Sequence, residues 1–139
     1  MKLSADMKKI FTDEVHLVIN NMKKSSVATE KLFFFSASYA MAQRIINIEY
    51  DYELNFIQQV LQLAHSTINT RLSAISTGQH QYPSIPDNLF DKLEETLGEM
   101  VSLIDEGLET YPALQKIANL AYTTTGNGYY LYLKGMIRL

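Results

Sequence analysis

The chain reads as an all-α protein, a four-helix bundle with an additional short C-terminal helix, in one domain over residues 1–139. Three observations carry this expectation. The first 77 residues contain no glycine and no proline, the two residues that most strongly interrupt regular structure. That stretch is rich in Leu, Ile, Met, Ala, Lys and Gln, which favour helix. Its apolar residues also recur at three- and four-residue intervals, the spacing of a helix seam in a bundle.

A first helix is expected from the N-cap Ser4 to about Met22, with Met7, Ile10, Phe11, Val18 and Met22 on one face. Asn20 to Ser26 reads as a helix end, a turn and a new cap, and a second helix follows from Val27 to about Ile48. The third runs from about Asp51 to Ser76 along a seam of Leu54, Ile57, Leu61, Ala64, Ile68, Leu72 and Ile75. Nothing between Asn47 and Tyr52 forces a break, so helices two and three are either separate or one kinked rod. Thr77 to Pro86 is the clear loop. Asp87 then caps a fourth helix reaching about Glu109, whose seam is Phe90, Leu93, Leu97, Met100, Ile104, Leu108 and Tyr111. Pro112 suits the first turn of a short fifth helix ending near Tyr122. Thr123 to Gly128 breaks it, and the tail from Tyr129 is a last helix or an extended arm.

Composition removes several classes of function. There is no cysteine, so disulfide frameworks, thiolate zinc sites and thiol nucleophiles are excluded. The net charge is −3 and the pI about 5.6, which disfavours nucleic acid as a partner, because phosphate binding needs clustered Lys and Arg. The charged opening residues hold no apolar core of signal-peptide length, and no apolar run approaches the roughly 20 residues that span a bilayer. A cytoplasmic protein with no membrane partner is therefore expected. Residues 1–77 carry eight basic and seven acidic side chains, against four and eight in residues 78–139.

Charge is missing where a solvent-facing helix would normally carry it. Between Leu32 and Ile48 the only charge is Arg44, and between Leu54 and Pro86 the only one is Arg71. The outer face of helix three, with Asn55, Gln59, Gln62 and Ser66, is polar but neutral. Phe33, Phe34 and Phe35 stand about 100° apart around helix two and cannot all enter one core seam. Interfaces are depleted of charge at their centres, so a homo-oligomer, trimer or dimer, through helices two and three is expected. Arg44 and Arg71, if buried, each need a carboxylate or carbonyl partner. Glu30 and the cluster Glu49, Asp51 and Glu53 are the candidates.

Candidate chemistry is sparse. Asp13-x-x-His16 is a single pair where a di-metal bundle needs two Glu-x-x-His pairs and two further glutamates, and His65 and His80 have no second ligand at helical spacing. No metal site is expected. There is no Gly-x-Ser-x-Gly elbow and no complete phosphate loop. The acidic segment 87–109 reads as a solvated face or a dock for a basic protein. Tyr122, Tyr129, Tyr130 and Tyr132 form a cluster suited to docking on a bundle, since tyrosine joins apolar area to a polar tip.

Two segments resemble a known family. Arg44-Ile-Ile-Asn-Ile-Glu-Tyr-Asp-Tyr-Glu53-Leu54-Asn55 is similar to the Arg-Val-x-Ala-Tyr-Gly-x-x-Asp-Glu-Leu-Asn segment of ATP:cob(I)alamin adenosyltransferases. Tyr122-Thr-Thr-Thr125-Gly126-Asn127-Gly128 resembles that family's Tyr-Thr-x-Thr-Gly-Asp-x-Gly nucleotide loop, with Asn127 at the Asp position and the loop after rather than before the other segment. The resemblance implies a five-helix bundle that forms trimers, with ATP and cobalamin as ligands and Arg44, Glu53, Asn55, Thr125, Gly126 and Asn127 lining an inter-subunit site. There Arg44 would pair with Glu53 or hold phosphate. The residues themselves point first to a non-catalytic helical protein without a cofactor, acting by self-association or as a small subunit of a complex. The adenosyltransferase-like enzyme is the alternative, and it requires residues 44–55 and 123–128 to converge.

Overall fold

The computed structural model describes residues 1–78 and 85–137. Residues 79–84 of the expected loop, with His80, lie outside the described residues, as do the last two residues of the tail. The protein is all-helical, with six helices and no strand among the described residues. They are α1 (Ala5–Lys24), α2 (Ala28–Ile48), α3 (Tyr52–Ser76), α4 (Leu89–Asp105), α5 (Tyr111–Tyr122) and α6 (Gly126–Leu133). No helix is long and apolar enough to cross a membrane among those residues.

The helix starts follow from local capping chemistry. The Ser4 hydroxyl accepts from the Met7 amide at 3.3 Å, and the Asp51 carboxylate accepts from the Leu54 amide at 2.9 Å. Asp51 thereby makes α2 and α3 two separate helices, since its extended backbone ends any continuous rod. On α4 the expected cap is displaced. Asp87 lies in the turn before the helix, Asn88 takes the N-cap position, and its side chain makes no capping bond.

The fourth helix is also shorter than expected. Gly107 adopts φ +72°, the Gly107 amide donates to the Ile104 carbonyl at 3.1 Å, and the Leu108 amide donates to the Leu103 carbonyl at 2.9 Å. This left-handed glycine cap closes α4 at Asp105. Leu108 and Tyr111 therefore leave the α4 seam and are exposed, while Leu93, Leu97, Met100 and Ile104 keep it buried. The same pairing of bonds around Gly135, at φ +70°, ends α6.

α1, α2 and α3 pack in sequence as an antiparallel meander. α1 packs on α4 at its other side, and α4 and α3 both pack on α5. The short fifth helix thus closes a ring between α3 and α4. Its own direction is parallel to α3, because Thr110 meets Glu53 at one end of the molecule and Thr124 meets Arg71 at the other. The core inside the ring includes Phe11, Met22, Phe35, Leu54, Leu61, Leu97 and Leu114, each fully buried and each contributing about 2–3 kcal/mol of transfer free energy. Ile10, expected on the buried face of α1, is exposed because it lies a full 100° from Phe11. Of the phenylalanine triplet, Phe35 is buried, Phe34 half-buried and Phe33 70% exposed.

Candidate functional site

The turn between α2 and α3 binds backbone rather than arginine. Glu53 is buried, and its Oε2 accepts from the Thr110 hydroxyl at 2.6 Å and the Thr110 amide at 2.8 Å. Its Oε1 lies 2.9 Å from the Met1 ammonium. Asp51 accepts from the Lys2 amide at 2.8 Å, and Glu49 from the Ser4 amide at 2.6 Å. Burial pushes the Glu53 carboxyl up, but the Thr110 hydroxyl, the ammonium and the Thr110 amide outweigh it and hold the group below its ordinary value. The acidic cluster therefore fastens residues 1–4 and the start of α5 to the start of α3.

Arg44 does not join it. Arg44 is exposed on α2 and, among the described residues, forms no ion pair. An exposed guanidinium needs no buried partner, which removes the reason for expecting one. Glu30, the other candidate, has its Oε2 3.0 Å from the Ser25 hydroxyl. Arg71 follows the expectation of a carbonyl partner, with its Nε donating to the Thr124 carbonyl at 2.5 Å.

The second resembling segment is built as a cap. The Thr125 hydroxyl donates to the Tyr122 carbonyl at 2.7 Å and accepts from the Gly128 amide at 3.0 Å, starting α6 at Gly126. Gly128 is sterically obligatory, since a Cβ there would fall 1.7 Å from the Tyr122 carbonyl oxygen. Asn127 is exposed, and Asn55 and Gly126 are half-buried. Glu53 and Arg71 occupy opposite ends of α3, about 27 Å apart at the helical rise of 1.5 Å per residue. Because Thr124 is fastened at Arg71, residues 44–55 and 123–128 sit at opposite ends of the chain and do not converge within it.

A different surface is assembled between α3 and α5. Val60, Leu63 and Thr67 of α3 face Ala118 and Tyr122 of α5 across an apolar groove of about 240 Å³, with Thr125 at its end. Leu63 stands at its lip, 67% exposed. The stripe continues along α3 to Phe56, whose ring lies 5.5 Å from that of Tyr111 on α5, and to exposed Tyr52. The sequence holds a signal for this surface: Tyr52, Phe56, Val60 and Leu63 recur at intervals of 4, 4 and 3, a second apolar stripe offset from the core seam. The outer polar residues Gln59 and Gln62 flank it and are exposed as expected.

The remaining polar clusters are structural. His65 stacks on Phe35 with centroids 6.5 Å apart and meets Tyr39 edge-on at 5.4 Å; burial there pushes its pKa down. Acids of α4 are engaged within the molecule: Glu94 with Lys31 at 3.0 Å, Glu95 with Lys92 at 3.3 Å and Glu99 with Lys116 at 2.8 Å. Asp91, Glu95 and Asp105 are the exposed acids of that helix. No group of three metal-ligating side chains occurs among the described residues.

No protein-family model, curated protein or solved structure matches the chain.

Proposed function

We propose that this protein is a non-catalytic bundle of four long helices, closed by a short fifth, that acts by association with itself through the outer face of α3. One observation carries the reading. The side chains that α3 exposes over its 25 residues include Tyr52, Phe56 and Leu63 among neutral amides and hydroxyls, and none of them is charged. A helix facing bulk water gains nothing from exposing large apolar groups in a neutral field, whereas a face covered by another chain is selected for it.

Light scattering and sedimentation equilibrium test the proposal. The wild-type chain is expected to form a dimer or trimer at micromolar concentration. Leu63→Glu, and separately Gln59→Glu with Gln62→Glu, should shift it toward monomer without loss of helical circular dichroism, because all three residues are exposed in the single chain. A wild-type chain that stays monomeric sinks the proposal. The adenosyltransferase-like alternative makes a different forecast, saturable thermal stabilisation by ATP or cobalamin. It also requires Glu53 to give up its bonds to Thr110 and the chain start, or to act while holding them.

A further inference from the structure

The first turn of α6 holds the one Asn-Gly step of the chain, Asn127-Gly128. Asn127 is exposed on that turn. Asparagine is a thermolabile residue, and most so before glycine, where no side chain shields the following backbone nitrogen from the asparagine amide. The chain cannot shed this lability by replacing the glycine. A Cβ at Gly128 would fall 1.7 Å from the Tyr122 carbonyl oxygen, so the packing of α6 demands glycine after Asn127.

Two features of the fold guard the step. The Gly128 amide donates to the Thr125 hydroxyl at 3.0 Å, which holds the proton that must leave before the nitrogen can attack. Both residues are also helical. A helical ψ of about −42° keeps the Gly128 nitrogen well out of the plane it must share with the Asn127 Cβ to close a five-membered ring. These guards last only while the first turn of α6 is closed. That turn is lightly held, because α6 is absent from the main helix pairings and Gly128 is its only buried residue. A segment with so few buried contacts opens locally at low free-energy cost.

We propose that Asn127 is a deamidation site gated by the Thr125 cap. When the turn opens, the Gly128 nitrogen gives up its proton to solvent and attacks the Asn127 side-chain carbonyl carbon. A bond forms from that nitrogen to Cγ, the Cγ–Nδ2 bond breaks, and ammonia leaves a succinimide ring. Water then opens the ring at either carbonyl, giving aspartate or isoaspartate at position 127. The two products act oppositely on α6. Aspartate keeps the backbone and places a negative charge in the first turn, where the helix dipole favours it. Isoaspartate adds one carbon to the main chain within residue 127, which moves Gly128 off the Thr125 hydroxyl and the Tyr122 carbonyl. Conversion to isoaspartate thus releases residues 126–133 irreversibly, while the core of α1 to α5 stays in place.

Peptide mass spectrometry on the full chain, incubated at neutral pH, tests the proposal through the mass gain of deamidation at Asn127. Folded wild type is expected to convert at least about tenfold more slowly than the urea-unfolded chain, the factor given by a local opening free energy of about 1.4 kcal/mol. Thr125→Val deletes both bonds of the cap and should convert about fivefold faster than wild type, the usual worth of an N-cap. Thr125→Ser keeps the hydroxyl and should stay near the wild-type rate. Hydrogen-exchange protection over residues 126–133 should fall in proportion to the isoaspartyl fraction, resolved by chromatography. A folded wild type that converts as fast as the unfolded chain overturns the proposal. So does a Thr125→Val protein that converts no faster than wild type, or an unfolded chain in which Asn127 does not convert.

Discussion

At the scale of single residues, Glu53 concentrates the most consequence. Its two oxygens hold the start of α5 and the first residue of the chain, so removing its charge leaves the Met1 ammonium without its carboxylate partner. Glu53→Gln should cost about 3 kcal/mol, the scale for breaking one side of a buried pair, read as a lower urea midpoint at pH 7. The pH dependence has a definite sign. The folded carboxyl titrates below its ordinary value of 4.5, so its contribution is present above that value and is lost as the pH falls through the folded pKa. Wild type should therefore lose more stability than Glu53→Gln below pH 4.5. His65 acts in a different window. Burial lowers its pKa from 6.5, so the unfolded chain takes up the proton first, and stability falls as the pH drops below 6.5. His65→Phe should flatten the urea midpoint between that value and the start of the Glu53 transition.

Two glycines separate backbone need from accident. A Cβ added at Gly98 in α4 would have nothing within 4 Å, whereas one added at Gly128 would collide with the Tyr122 carbonyl. Gly98→Ala should stabilise the protein by about 0.5–1 kcal/mol, the helix-propensity difference. Gly128→Ala should instead melt α6, seen as lost hydrogen-exchange protection over residues 126–133 with α1 to α4 unchanged.

At the scale of elements, the junction of α1, α2 and α4 depends on one half-buried lysine. Lys31 Nζ donates to the Met22 carbonyl at 2.6 Å and pairs with Glu94 at 3.0 Å, joining the end of α1 and the start of α2 to α4. Glu94→Gln should cost about 3 kcal/mol by leaving the ammonium uncompensated, while Lys31→Met with Glu94→Leu should recover most of it. Denaturant midpoints of Lys31→Met, Glu94→Leu and the double variant give the coupling energy directly. The helix boundaries themselves are legible in the sequence where the cause is local. Ser4 and Asp51 are short polar caps, and the α3 seam from Leu54 to Ile68 repeats without interruption. The end of α4 is not, because the apolar spacing runs on through Leu108 and Tyr111, although Gly107 just before them is a cap residue. The start of α6 is concealed by the glycines of its first turn, which read as a break, although Gly128 serves close packing against Tyr122.

At the scale of the whole molecule, association and stability should be linked. If the exposed α3 stripe is covered by a second copy, the thermal midpoint of the wild-type chain rises with protein concentration, since mass action favours the folded, associated state. The midpoint of Leu63→Glu should be independent of concentration. Differential scanning calorimetry over a wide range of concentration distinguishes them. The charge gap from Leu54 to Pro86 points to this helix from sequence. The stripe that carries the proposal, Phe56, Val60 and Leu63 beside Tyr122, depends on which side of α3 receives α5.

The sequence by itself determined the helical class, most helix ends and the α3 and α4 seams, because propensity, capping and 3.6-residue periodicity act between residues no more than a few positions apart. It also marked α3 as unusually neutral. Tertiary structure alone decided what the charges and loops do. By spacing alone Glu53 is a candidate partner for Arg44, but the fold brings Thr110 and Met1 to it across 57 and 52 positions of chain and leaves Arg44 in water. The two family-like segments could meet only if the chain folded back between them, and the rigid length of α3 holds them apart. Such partners are set by the order in which helices pack around a common core, a long-range property that no local spacing encodes.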